Sequence, residues 1–140
     1  MQSEEEGGLV LAKLDDGEDL FGSLKALAAK HRIESGTVLW GIGMVREYEL
    51  GYFDRGDYMR QSFFPPAELV ALHGSLTMTA DPPVHVHLAA AGKDHAVVGG
   101  HLFKATVNVL NELCLRRLDE VRLTRERNPR SGLNELCVLR

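Results

Sequence analysis

The sequence is poor in the features that mark secreted and membrane proteins. Its 140 residues include only two cysteines, Cys114 and Cys137, which are too few for a disulfide framework. No apolar run approaches the length needed to cross a bilayer. The acidic start of the chain (MQSEEE) has neither the basic nor the apolar segment of a signal peptide. We therefore expect a cytoplasmic protein with reduced cysteines and no membrane partner.

An excess of basic residues is also missing. The chain carries 16 Lys and Arg against 20 Asp and Glu, for a formal net charge of −4. Non-specific DNA binding depends on neutralising phosphates with cationic side chains, so this balance disfavours it without excluding a local basic patch. One such stretch is present, with arginines at 116, 117, 122, 125, 127 and 130. A solvated face is the commoner explanation of such a run.

What remains is an ordinary globular composition, with 44% hydrophobic and 26% charged residues. The length suits one domain and is too short for two independent cores. We expect residues 1–7 to form a disordered lead-in and residues 8–140 to form the single domain.

Local patterns predict many short strands and one or two helices. Strands are expected over residues 9–14, 36–45, 47–54, 58–64, 72–79, 84–91, 97–106 and 133–139. Apolar residues at helical spacing predict a helix over 18–31 and a second over 107–118, whereas the charged stretch 122–130 predicts a loop or an edge strand. Together these elements predict an α+β fold, a largely antiparallel, sandwich-like sheet with one or two packed helices.

Three histidines form the most informative pattern in the chain. His85 and His87 are two residues apart in a predicted strand, so their side chains project from the same face. If the loop to the next strand has three residues (93–95) or five (92–96), position 87 lies opposite His101 and all three imidazoles converge. A loop of even length puts His101 on the other face, unless a bulge at the preceding glycine pair restores it.

Two interpretations of this spacing are open. Three imidazoles with a free fourth position are the ligand set of a catalytic zinc site, although imidazole also suits copper, iron or nickel. Alternatively, the His-Val-His segment lies on a solvated strand and His101 is unrelated to it.

Three further residues are candidates for a supporting role. His73 is a candidate fourth ligand or a hydrogen-bonding neighbour of a ligand, and a satisfied, half-buried histidine is the alternative. Glu112 and Glu68 are candidate hydrogen-bond acceptors or proton shuttles, with solvated side chains as the alternative. No serine or cysteine nucleophile arrangement is present.

Five motifs, in one order, resemble the PPC domain that plants and prokaryotes share. They are GIG at 41–43, LGYFD at 50–54, ELVALHG at 68–74, VHVHL at 84–88 and VGGHL at 98–102. The resemblance runs over residues 8–139. It implies an α+β fold with a largely antiparallel sheet, and a homotrimer. It also implies a zinc site like that of prokaryotic members, with His85, His87 and His101 as the ligands.

In plants the PPC domain follows an AT-hook, a basic segment of the Arg-Gly-Arg type that enters the minor groove. This sequence contains no such segment. The resemblance therefore implies a stand-alone, prokaryotic-type domain that binds zinc and has a regulatory or small-molecule-binding role. A zinc-dependent enzyme acting on a small substrate and a DNA-associated regulator are the alternatives.

Overall fold

Strands account for most of the chain in the computed structural model, which describes residues 1–140. There are nine strands and one helix. In chain order they are β1 (Gln2–Glu6), β2 (Leu9–Asp15), α1 (Leu20–Lys30), β3 (Ser35–Asp54), β4 (Asp57–Phe63), β5 (Ala67–Thr77), β6 (Val84–Ala91), β7 (Val97–Arg117), β8 (Arg122–Arg127) and β9 (Asn134–Leu139).

Seven of the strands form one antiparallel sheet in the order β1-β2-β7-β6-β5-β3-β4. The long strands β3 and β7 also pair with each other, which closes β3, β5, β6 and β7 into a ring of hydrogen-bonded neighbours. Strands β8 and β9 form a separate hairpin. The predicted fold class is thereby confirmed, with one helix rather than two.

The helix α1 packs one apolar face into the core. Leu20, Leu24 and Leu27 are fully buried, in agreement with the helical spacing of the sequence. The Asp19 carboxylate caps the first turn by accepting a hydrogen bond of 2.7 Å from the Gly22 N–H. This helix has 11 residues, and no helix of the chain is both long and apolar enough to cross a bilayer.

Strand β6 divides cleanly between the core and the outer face of the sheet. Val84, Val86 and Leu88 are at most 5% exposed and belong to the core. His85 and His87 alternate with them and therefore project outward. The core contacts of the valines and the leucine thus fix the direction in which the two histidines point.

The predicted disordered lead-in is wrong, because residues 2–6 form β1 and pair with β2. This edge strand forms without an apolar face, since backbone hydrogen bonds hold it to β2. Side-chain contacts add to this pairing: the buried Ser3 hydroxyl lies 2.9 Å from His31 Nε2, and Glu5 pairs with Arg117 at 2.6 Å.

The predicted helix over residues 107–118 is also wrong, because these residues continue strand β7. An alternating apolar pattern is present, with Val107, Leu113 and Leu115 all fully buried. Two residues hide this pattern in the sequence. Position 111, which is buried with Val107, Leu113 and Leu115, is an asparagine, and Cys114, on the other face of the strand, is also buried. A bulge against β3 between Asn108 and Asn111, where Val109 has a φ of 64° and is 61% exposed, interrupts the two-residue period further.

The charged stretch 122–130 forms strand β8 over its first six residues, the edge-strand alternative of the prediction. The hairpin of β8 and β9 is attached to the main sheet by side chains. Leu123 is 6% exposed, and its N–H donates to the Ser35 hydroxyl at 2.9 Å. Both cysteines are free thiols, Cys114 buried and Cys137 half-buried on β9.

Candidate metal centre

The hairpin of β6 and β7 has the geometry that brings the histidines together. Ala91 pairs with Val97, which leaves a five-residue loop over 92–96, and His87 pairs with His101. Of the loop lengths that the sequence left open, the structure has an odd one, which puts His101 on the same face as His87. The pairing is continuous from Val97 to His101, so no bulge is needed to bring His101 onto the outer face.

The three imidazoles converge closely enough to share one metal ion. One nitrogen from each of His85, His87 and His101 lies within 4.8 Å of the others. The Nε2 atoms of His85 and His87 are 3.2 Å apart. Two nitrogens bound at 2.0–2.1 Å to a tetrahedral zinc are themselves about 3.3 Å apart, so this pair already has the spacing of zinc ligands.

The surroundings favour the neutral form of two of these imidazoles, those of His101 and His85. Burial lowers the pKa of His101 to about 4, with further contributions from His85, His87 and Arg60. Burial also lowers the pKa of His85, helped by the positive charges of His87 and Arg125. Neutral imidazole is the form that binds metals, so the electrostatics of the site and the geometry agree.

Two aromatic rings contact His101, Tyr58 from β4 and Phe103 from β7 itself. Its ring centroid is 4.7 Å from that of Tyr58 and 4.5 Å from that of Phe103. The Tyr58 hydroxyl is 3.5 Å from Nδ1 of His101, which leaves Nε2 as the nitrogen free of this contact. Both rings fit because Gly51, the β3 partner of His101, has no side chain. A Cβ there would lie 2.5 Å from the Phe103 ring and 2.9 Å from Tyr58.

The sequence indicated the histidines but missed the two aromatic residues. Tyr58 belongs to β4 and reaches His101 across β3, whose Gly51 pairs with both Arg60 of β4 and His101 of β7. The available signal was the glycine of the LGYFD motif, because a glycine within a strand often marks the close approach of a neighbour.

His73 lies beside the cluster without belonging to it. It pairs with His87 across β5 and β6, so the two side chains share the outer face. Its Nδ1, however, is 2.8 Å from the Leu39 carbonyl oxygen, and its side chain is not part of the three-histidine group. His73 is therefore a hydrogen-bonded neighbour of the site.

Neither candidate acid reaches the histidines within the chain. Glu68 is exposed and lies five residues before His73 on β5, about 16 Å along an extended strand. Glu112 lies eleven residues after His101 on β7 and lines a different cavity, beside Trp40. The structure therefore does not support a shuttle role for either glutamate.

A cavity of about 590 Å³ opens beside the cluster, within the size range of small-molecule pockets. His85 and His101 form one wall, and the hairpin of β8 and β9 forms the opposite one. Arg60 lies 3.7 Å above the Phe103 ring centroid and is 3.2 Å from Glu49. A ligand in this cavity would therefore contact the histidines, aromatic rings and guanidinium groups together.

Three arginines of the arginine-rich stretch make contacts within the protein. Arg117 is paired with Glu5 at 2.6 Å and with Asp119 at 2.7 Å. Arg116 donates to the Gly7 carbonyl at 2.8 Å, whereas Arg125 lines the cavity. Arg116, Arg117 and Arg125 therefore serve separate contacts within the fold.

Solved structures with the same architecture come from archaea and bacteria. A plant- and prokaryote-conserved (PPC) protein of Pyrococcus horikoshii is 26% identical, with a TM-score of 0.81 over 96% of this chain and 93% of that one. The metal-containing protein AF0104 of Archaeoglobus fulgidus is 30% identical, with a TM-score of 0.82 over 98% and 99%. A proposed DNA-binding protein of Bacteroides thetaiotaomicron is 26% identical, with a TM-score of 0.86 over 97% and 96%.

Sequence comparisons point to the same family. A curated relative, the bifunctional protein GlmU of Synechococcus sp. (strain JA-3-3Ab), is 31% identical over 128 residues, which make up 90% of this chain. The chain spans only 20% of the length of that relative. The model of the Plants and Prokaryotes Conserved domain, abbreviated PCC or PPC, matches residues 1–119, which include all three histidines and the strands that carry them. The chain therefore belongs to the Plants and Prokaryotes Conserved domain family.

Proposed function

We propose that this protein binds a zinc ion through His85, His87 and His101 and presents it to a small molecule in the adjoining cavity. The observation that carries the proposal is the convergence of three imidazole nitrogens within 4.8 Å, two of them at zinc-ligand spacing. Bound there, zinc would supply Lewis acidity and an open coordination position. The Archaeoglobus relative, which is described as metal-containing, adds support.

Binding is favoured over turnover because no carboxylate belongs to the three-histidine group. Glu68 and Glu112 are distant along their strands, and the three-histidine group includes no carboxylate. The Glu135 carboxylate, which lines the cavity, accepts hydrogen bonds from Asn128 and Ser131. A regulatory or small-molecule-binding role accounts for a metal site without an adjacent general base.

The proposal includes assembly into a homotrimer. An apolar outer face, formed by Leu9, Leu11, Trp40 and Ile42, leaves these side chains 40%, 56%, 39% and 46% exposed. They lie on neighbouring strands: Leu11 and Trp40 both pair with Cys114 of β7. A contiguous apolar patch of this kind is typical of an interaction site, and further copies of the chain are the partners that the family resemblance implies.

The experiment is a measurement of metal content in untagged protein purified without chelator. We expect stoichiometric zinc in the wild-type protein and loss of it in His101→Ala, because two imidazoles bind the ion much more weakly than three. His95→Asn serves as the control, since His95 is exposed in the loop and its positive φ of 64° is tolerated by asparagine.

His73→Ala should also retain its metal, because that side chain bonds to the Leu39 carbonyl instead. Wild-type protein that neither carries metal after purification nor takes up added zinc would contradict the proposal. Equal metal content in wild type and His101→Ala would contradict the assignment of the ligands.

A further inference from the structure

The cavity beside the histidines contains an arginine whose charge has no carboxylate partner. Arg125 of β8 lines this cavity, and no Asp or Glu oxygen lies within 4.0 Å of its guanidinium nitrogens. By contrast, Arg60 in the same cavity is paired with Glu49 at 3.2 Å. Burial lowers the pKa of Arg125, so its charge is held at a cost in solvation.

Neutral oxygens fix the guanidinium of Arg125 in place. Nε donates to the Pro82 carbonyl at 2.9 Å and to the Thr77 hydroxyl at 3.1 Å, and Nη2 donates to the Ser75 hydroxyl at 2.9 Å. Nη1 makes only a long contact of 3.5 Å to the Asn134 carbonyl. Since each terminal nitrogen carries two hydrogens, both keep an N–H without a protein acceptor.

The position of Arg125 relates it directly to the histidines. Its partner Ser75 pairs with His85 across β5 and β6, so the guanidinium sits one cross-strand position from a proposed zinc ligand. The family match ends at residue 119, so this arginine comes from a hairpin beyond the matched segment.

We infer that the ligand of this cavity is a small carboxylate whose carboxyl group binds Arg125 and whose other end provides an oxygen to the metal. This inference rests on the proposed zinc site. Two free N–H groups on a rigid, planar guanidinium match the two oxygens of a carboxylate. A divalent metal on three neutral imidazoles provides the second positive centre. A dicarboxylate would therefore bind the guanidinium with one carboxylate and the metal with the other.

The rest of the cavity limits the size and charge of the ligand. The Glu135 carboxylate also lines the cavity, and the positive charge of Arg60 is offset by Glu49, so only one guanidinium is uncompensated. At Arg125, a carboxylate group with a single negative charge therefore matches the single free positive charge better than a phosphate dianion does. Phe103 and Leu136 add apolar walls for a short carbon chain.

Calorimetric titration of the zinc-loaded protein with succinate tests the inference. We expect saturable binding to the wild type and no binding of succinamide, which has the same shape without the charges. Arg125→Gln should weaken succinate binding about 10- to 100-fold, since charge-assisted hydrogen bonds contribute about 1.5–3 kcal/mol. Arg127→Gln, an exposed arginine on the same strand, should leave the affinity unchanged.

Zinc content, measured on the same samples, distinguishes failure of the proposed metal site from failure of the proposed carboxylate site. Failure of the wild type to hold zinc overturns the proposed function. If the zinc-loaded protein does not bind succinate, only the present inference is overturned. Arg125→Gln should melt cooperatively and keep its zinc; an unchanged affinity in that variant contradicts the role of Arg125. Arg125→Lys keeps the charge but loses the planar fork, and should lie between the two affinities. Tighter binding of phenyl phosphate than of succinate would overturn the assignment to carboxylates.

Discussion

At the scale of single residues, the site depends on positions where a side chain is missing. Gly74 of β5 pairs with Val86, one residue after His85. A Cβ at Gly74 would lie 2.0 Å from the His85 carbonyl oxygen and 2.7 Å from the Val86 Cα. Gly51 makes room in the same way for the two rings that hold His101. The histidines are therefore positioned by the close approach of neighbouring backbones as well as by the hairpin.

Gly74→Ala should destabilise the protein, because the added methyl group meets backbone atoms that cannot rotate away. We expect a loss of about 1–3 kcal/mol in the free energy of unfolding, the usual cost of overpacking. Gly99→Ala is the matched control, since its Cβ would lie 3.1 Å from the Leu88 carbonyl oxygen and needs only a small shift. Urea denaturation in which Gly99→Ala loses as much stability as Gly74→Ala would contradict this account.

At the scale of elements, α1 is the only helix and its start depends on one cap. Asp19 accepts a hydrogen bond from the Gly22 N–H at 2.7 Å, and the helix then buries Leu20, Leu24 and Leu27 completely. No acidic residue in the first turn can replace the Asp19 carboxylate. The start of the helix is thus a single, separable contribution to stability.

Asp19→Ala should lower the free energy of unfolding by about 0.5–2 kcal/mol, because an N–H of the first turn loses its acceptor. Asp19→Asn keeps an oxygen at the cap and should retain most of the stability. Lys25→Ala changes an exposed residue of the same helix and should leave stability nearly unchanged. Equal unfolding midpoints for Asp19→Ala and Lys25→Ala in urea would show that the cap is dispensable.

The elements also show how far the sequence predicts this structure. The hairpin of β6 and β7 was predictable because alternation and loop parity are local properties, and they determine which face His85, His87 and His101 share. The end of β7 was not predictable, because its strand conformation depends on pairing with β2 and β3, which are distant in sequence.

The residues on the cavity side of the site could not be predicted from the sequence. Arg125 reaches the site through a contact with Ser75, fifty residues earlier in the chain, and no local pattern records that contact. Tyr58 reaches His101 across an intervening strand. The three-histidine cluster was therefore indicated by one segment of the sequence, whereas the residues around it required the tertiary fold.

At the scale of the whole molecule, the histidine cluster and the apolar outer face occupy different regions of the sheet. The histidines and their cavity lie toward β4, β5, β6 and the β8–β9 hairpin. The apolar outer face lies where β2, β7 and the first half of β3 run side by side. Cys114 is only 5% exposed because Leu11 and Trp40 lie across from it on either side. None of the four residues of the apolar outer face lines the cavity.

Leu11→Glu places a charge in the middle of the apolar outer face, where Leu11 is 56% exposed in the single chain. We expect this variant to dissociate to monomers, because burying an unpaired carboxylate in the interface costs several kcal/mol. Light scattering coupled to gel filtration would give the mass of each species. Tyr52→Glu is the matched control, since Tyr52 is 72% exposed on the distal half of β3. A trimer in both variants would rule out this face as the interface, and a monomeric wild type would rule out the trimer itself.

Zinc retained in a folded, monomeric Leu11→Glu variant would show that one chain completes the metal site, as the convergence of the three histidines within that chain requires.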